Sequence, residues 1–197
     1  ALSFLSSIPN MHVMAPKNKW ELSDMLKFAV EFGGPIAIRY PRGEAFDGLK
    51  EHRAPIVYGK SEMLFEEKDI LLLAVGSMVK VALTVRERLK EKGLSCSLVN
   101  ARFVKPIDEE LIREACKTHG LIVTMEENVA SGGFGDRVRA FVDSLDAGIK
   151  VLGVAIPDEY VEHGNVELLK QETGIDAASV EEKVCAAWRA FIDKQGV

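Results

Sequence analysis

Asp69-Ile70-Leu71-Leu72-Leu73-Ala74-Val75-Gly76-Ser77 is the stretch whose reading decides the fold. Residues 70–75 are six apolar residues in a row, too short for a buried helix and right for a strand covered on both faces. Gly76-Ser77 turns the chain, and residues 78–92 read as a helix closed by Gly93. The same strand-then-helix unit recurs downstream. A strand over 95–100 is followed, after Pro106, by a helix over 108–118, with Asp108 as N-cap and Glu109 and Glu110 in its first turn. Gly120 leads into a strand over 121–125, and Ser131-Gly132-Gly133-Phe134-Gly135 opens a helix over 136–144. A strand over 150–154, a loop over 156–164 and helices over 165–172 and 176–194 complete the series. The last helix carries Val180, Val184, Ala187, Trp188 and Phe191 on one face. This alternation predicts an α/β fold: a three-layer domain around a mainly parallel sheet.

Working back toward the start, residues 54–66 read as a hairpin-like or edge element with its turn at Tyr58-Gly59-Lys60, and residues 47–52 as a polar linker. Before the linker lies a shorter block. An extended segment within 10–16 ends at Pro16. Asn18 is placed to cap a helix over 19–32, with Leu22, Met25, Leu26 and Ala29 on one face and Gly33-Gly34 at its end. A strand over 36–40 follows. Strand–helix–strand units pair their strands in parallel through a right-handed crossover. Two strands and one helix cannot bury a sufficient core alone, so residues upstream of Ala1 are expected to complete this sheet. The division is therefore 1–50 and 51–197. The start within structured-looking sequence, without methionine, points to a piece of something larger: an engineered truncation, a proteolytic product or half of an enzyme.

Composition narrows the function classes. A content of 47% hydrophobic and 28% charged residues fits an ordinary soluble globular protein. With a net charge of −5 and no basic stripe, a nucleic-acid partner is not expected. The cation pairs Lys17/Lys19 and Arg86/Arg88 read as solvated surface. No apolar run is long enough to cross a bilayer and no leader is visible, so no membrane partner is expected. Cys96, Cys116 and Cys185 are widely spaced without zinc-ligand spacing, which suits a reducing cytoplasm.

The stretch Gly34-Pro35-Ile36-Ala37-Ile38-Arg39-Tyr40-Pro41-Arg42-Gly43 carries the chemistry. Pro41 forbids further ladder pairing and Gly43 permits a sharp change of direction, so Arg39 stands where its strand leaves the sheet. Open α/β sheets bind ligands beyond the carboxyl ends of their strands, and a guanidinium takes phosphate or carboxylate through paired hydrogen bonds. Two readings are open: an anion clamp, for a phosphate, or a structural ion pair at a strand end. Other candidates are weaker. Gly76-Ser77 lacks a phosphate-loop pattern and reads as a tight turn with Ser77 as N-cap. The loop over 131–135 resembles a phosphate cradle, yet the charges of Glu126 and Glu127 oppose a nucleotide there, and a buried turn or subunit contact is the alternative. His12, His52, His119 and His163 are scattered, and no triad or carboxylate pair can be assembled by spacing.

Several segments, in order along the chain, resemble one family. Ile8-Pro9-Asn10-Met11, Met14-Ala15-Pro16 and Arg39-Tyr40-Pro41-Arg42-Gly43 look like the later part of a pyrimidine-binding domain. The segments over 101–108, 124–128 and 153–158 continue the match. The family is that of the 1-deoxy-D-xylulose-5-phosphate synthases, among the transketolase-like enzymes. The resemblance implies thiamine diphosphate and Mg²⁺ as cofactors in the full enzyme. It also implies condensation of pyruvate with glyceraldehyde 3-phosphate with loss of CO₂, and a product that feeds isoprenoid, thiamine and pyridoxal synthesis. It implies a cytoplasmic homodimer of three-domain chains, of which this chain holds the end of the second domain and all of the third. The N-terminal domains would be its partners, and neither cofactor is expected to bind this chain alone. One residue role carries over: Arg39 matches the arginine used for the substrate phosphate and should face an open pocket, with Arg42 supporting the loop. Three alternatives stay open: half of a split transketolase, the tail of a 2-oxo-acid dehydrogenase β-subunit, and a stand-alone interaction or regulatory module.

Overall fold

The computed structural model describes residues 2–195. Helix α1 (Leu2–Ser7) leads to strand β1 (His12–Met14), helix α2 (Lys19–Phe32) and strand β2 (Ile36–Ile38). Strands β3 (Glu62–Phe65) and β4 (Asp69–Ala74) precede helix α3 (Met78–Glu91), and strands β5 (Cys96–Asn100) and β6 (Phe103–Lys105) precede helix α4 (Glu109–Thr118). Strand β7 (His119–Val129), helix α5 (Phe134–Ser144), strand β8 (Lys150–Ile156) and helices α6 (Val166–Glu172) and α7 (Ala177–Gln195) follow.

The larger sheet has the order β3-β5-β4-β7-β8, with β5, β4, β7 and β8 parallel and only the edge strand β3 antiparallel. The alternation of strand and helix accounts for this, because a helix between two strands returns the chain for parallel pairing. Residues of β4 divide between two cores. Ile70, Leu72 and Ala74 pack with α3 and α7, whereas Leu71 and Leu73 pack with α4 and α5. A central strand buried on both faces needs an unbroken apolar run, and residues 70–75 supply it. The fold is thus α/β in three layers, as the sequence pattern requires.

β1 and β2 pair in parallel, His12 with Ile36 and Met14 with Ile38. The edge of β1 away from β2 is filled from within the chain by β6, antiparallel, with Val13 opposite Lys105. The sequence hides β6 because three residues carry no period of their own. The expected completion from upstream is therefore unnecessary on that edge. α2 turns Met25 into the small core, while Leu22 and Ala29 are half-buried and Leu26 is exposed, so the face expected to be buried is only partly so. The segment over 47–52 is pinned rather than free. Leu49 is buried, and the Asn18 amide donates to the carbonyls of Gly48 and Leu49.

Lys17 and Arg86 correct the surface reading, since both are buried. Arg86 donates to the Cys96 carbonyl at 3.0 Å, pairs with Glu67 and lies over the Phe65 ring. Lys17 belongs to a buried charge cluster joining the two sheets. Its Nζ reaches Glu62 at 2.7 Å and Glu21 at 3.2 Å. Arg102 donates to Glu21 at 2.7 Å and lies 3.1 Å from Glu62. Asn100 also donates to Glu21. Two cations face two carboxylates, so the cluster is neutral, as burial demands. Burial pushes the Glu62 carboxyl up, but the bonds from Lys17 and the Ala54 amide and the charge of Arg102 prevail and hold it below its ordinary value.

Candidate functional site

Arg39 follows β2 directly, its backbone N–H held by the Met14 carbonyl at 2.8 Å. Its side chain reaches the carboxyl end of the larger sheet. There Ser77 lies in the turn after β4 and Glu127 in the far half of β7. Arg39 Nη2 is 3.5 Å from Glu127 Oε1, and Nη1 donates to Ser77 Oγ at 3.4 Å. The Ser77 hydroxyl in turn donates to Glu127 Oε2 at 2.5 Å. About a quarter of each charged side chain remains open to solvent. Arg39 thus has a carboxylate partner and a partly exposed side chain. Neither the cavity of about 110 Å³ beside Gly135 nor that of about 410 Å³ beside Lys105 is lined by Arg39. Arg42 is exposed in the loop beyond β2 and is not brought to Arg39 by any hydrogen bond or ion pair described.

Ser77 does not cap α3. Its backbone is already helical, and its hydroxyl serves Glu127 instead. Gly76 before it has φ +54, and a Cβ there would meet the Ala15 Cβ at 3.0 Å, so the turn needs glycine. The close approach brings the β4 turn against the segment after β1.

The glycine-rich loop does hold an anion at the start of α5, and the anion is the chain's own. Glu126 accepts from the backbone N–H groups of Phe134 at 2.9 Å and Gly135 at 2.8 Å. A Cβ on Gly133 would lie 2.5 Å from Glu126 Oε1, so glycine makes room for the carboxylate. Ser131 and Gly132 are exposed and residues 133–135 buried, and the helix begins two residues earlier than the pattern suggests, at Phe134. Neighbouring strand residues point to opposite faces. This is how Glu126 turns toward α5 while Glu127 turns toward Ser77 and Arg39. That alternation was the signal by which sequence reasoning could have separated their roles.

Burial raises the Glu126 carboxyl above its ordinary 4.5, against the lowering effect of the two backbone N–H bonds. A carboxyl raised in the folded state binds its proton more readily there than when unfolded. Its contribution to stability is therefore full below the unfolded value and is lost as pH rises through the folded one. A ¹³C titration of the Glu126 carboxyl carbon should give a midpoint above 4.5. A midpoint at or below that value would contradict the dominance of burial.

The structure keeps the four histidines apart. His12 Nδ1 meets the Pro35 carbonyl at 3.0 Å and Nε2 the Tyr58 hydroxyl at 2.9 Å. His119 is buried against Ser97 and Ala115, and its desolvation lowers its affinity for a proton. His52 packs on Phe65, and His163 is exposed in the loop after β8. Cys96 is buried, and desolvation pushes its thiol up to about 12. Among the described residues no group of three or more His, Cys, Asp and Glu side chains could hold a metal ion. No described helix is long and apolar enough to cross a membrane.

A mainly parallel α/β domain whose strand ends face an arginine on a second, smaller sheet defines the fold class. The family model described as "Transketolase, C-terminal domain" matches residues 59–180, and that described as "Transketolase, pyrimidine binding domain" matches residues 1–46. The chain belongs to the transketolase C-terminal domain family. It is 50% identical, over 93% of its length, to the 1-deoxy-D-xylulose-5-phosphate synthase of Lachnoclostridium phytofermentans, and 40% identical over 93% to that of Aquifex aeolicus. The chain spans about 30% of the length of these relatives. Among solved structures, a split gene transketolase described as an inactive β4 tetramer superposes with a TM-score of 0.89 at 29% identity, covering 95% of this chain and 61% of that one. The transketolase of Campylobacter jejuni, at 18% identity and a TM-score of 0.69, shares the fold over 94% of this chain and 27% of its own.

Proposed function

We propose that the chain is the C-terminal part of a thiamine diphosphate-dependent synthase. The enzyme condenses pyruvate with glyceraldehyde 3-phosphate, releases CO₂ and forms 1-deoxy-D-xylulose 5-phosphate for isoprenoid synthesis. The observation that carries this reading is the 50% identity to a protein of that name across nearly the whole chain. Residues 1–50 are the end of its pyrimidine-binding domain and residues 51–197 its C-terminal domain. The cofactor, its Mg²⁺ and the groups that activate it belong to the part of the relatives that this chain does not span, so the chain alone is inactive. It works in the cytoplasm, in a homodimer, with the N-terminal domains as its partners.

The chain's share in the chemistry is to hold the aldehyde. Arg39 binds the phosphate of glyceraldehyde 3-phosphate, and Arg42 supports the loop beside it. A phosphate distant from the reacting carbonyl supplies binding energy that positions the carbonyl. Support comes from the place of Arg39 at a strand's carboxyl end with about a quarter of its side chain open. The structural likeness to a split gene transketolase favours a second reading, half of a split enzyme transferring a ketol group. The intact enzyme decides between them. It should release CO₂ from pyruvate in proportion to added glyceraldehyde 3-phosphate. Ketol transfer from xylulose 5-phosphate without CO₂ release would establish the second reading instead.

A further inference from the structure

We infer that Glu127 is an internal stand-in for the substrate phosphate, and that the arriving phosphate displaces it from Arg39 and takes over the Ser77 hydroxyl. This rests on the reading of Arg39 as the phosphate-binding residue. Three groups from three different strand ends close a ring: Arg39 donates to Ser77, Ser77 donates to Glu127, and Glu127 lies within ion-pair distance of Arg39. A hydroxyl has one proton, and here it is committed to Glu127. Its lone pair is what Arg39 meets. Ser77 therefore has no proton for a substrate until Glu127 leaves.

The weak side of the ring is the Arg39–Glu127 contact; the Ser77 bond to Glu127 is short, at 2.5 Å, and is the one the arriving phosphate must replace. The Arg39–Glu127 contact is long, at 3.5 Å, and both side chains are about a quarter exposed, the setting in which an ion pair contributes least. Glu126, one residue earlier, is locked into the α5 cradle by two backbone N–H bonds. The β7 backbone is thus anchored next to Glu127, whose side chain is held by the Ser77 hydroxyl and the long Arg39 contact and is about a quarter open to solvent. A phosphate monoester brings nearly twice the charge of a carboxylate and three acceptor oxygens. It can satisfy both Arg39 and the released Ser77 hydroxyl, which one carboxylate at 3.5 Å does only in part. This arrangement gives the C-terminal domain a task in substrate binding: it supplies the competitor and a second phosphate donor.

The test uses the intact enzyme, with inorganic phosphate and acetate as competitors of glyceraldehyde 3-phosphate. If Glu127 is displaced by any anion, its removal strengthens all of them by one common factor. Glu127→Gln should lower the KM for glyceraldehyde 3-phosphate and the inhibition constants of phosphate and acetate together, each about two- to fivefold, the size of a partly exposed ion pair. Glu127→Asp should stay near the parent. In the Arg39→Ala background Glu127→Gln should change nothing, since the competition runs through Arg39. Adding Ser77→Ala to Glu127→Gln should weaken phosphate again. A fall for phosphate much larger than for acetate would mean that Glu127 stays beside the anion and repels it, and would overturn the displacement. Constants that rise in Glu127→Gln would make Glu127 a positioning residue and also overturn it. Phosphate inhibition that survives Arg39→Ala intact would instead remove the phosphate role of Arg39, whatever Glu127 does.

Discussion

Arg39→Ala in the intact enzyme raises the KM for glyceraldehyde 3-phosphate by about ten- to a hundredfold. Hydrogen bonds to a charged group contribute about 1.5–3 kcal/mol, and each ~1.4 kcal/mol is a factor of ten. The effect is confined to the phosphorylated aldehyde. Glyceraldehyde without its phosphate gains nothing from the guanidinium, so parent and variant should use it equally poorly. Arg39→Lys should fall between the two, because an ammonium keeps the charge but loses the planar fork. Steady-state kinetics with both aldehydes check this. An unchanged KM for the phosphorylated aldehyde in Arg39→Ala removes the assignment.

The largest effect on stability should come from Glu21, far from that chemistry. Its carboxylate receives the backbone N–H and Nζ of Lys17, the Asn100 amide and Arg102 Nε, all buried. Glu21→Ala leaves two cations facing the single carboxylate of Glu62, without water to replace the lost charge. Breaking a buried ion pair by removing one partner costs about 3–5 kcal/mol, a large share of a domain's total stability. Urea unfolding should show the midpoint falling by the corresponding amount. A loss below about 1 kcal/mol would mean that the cluster rearranges or takes in water.

The sequence was most legible where one residue pattern has one physical solution. The apolar run over 70–75 fits only a strand covered on both sides, and β4 lies between β5 and β7 with helices above and below. Asn18 and Asp108 cap the helices they were expected to open, because their side chains reach the free N–H groups of the first turn. Legibility failed where the partner is remote in the chain. Lys17 looks like any surface lysine until Glu62, forty-five residues away, is seen beside it. The three residues of β6 have too little length to show a period. At the site, Arg39 was readable from Pro41 and Gly43, but Glu127 and Ser77 were not. Eighty-eight positions separate Arg39 from Glu127, and only the stacking of one sheet's strand ends on the other brings them together.

β6 belongs by sequence to the later half of the chain and by hydrogen bonding to the earlier half. It works as a rivet. Its antiparallel register with β1 lies in the same hydrogen-bonded ladder as β2, whose end carries Arg39. The earlier and later halves of the chain thus share one three-stranded sheet, and the segment that carries Arg39 is tied through it to the larger domain.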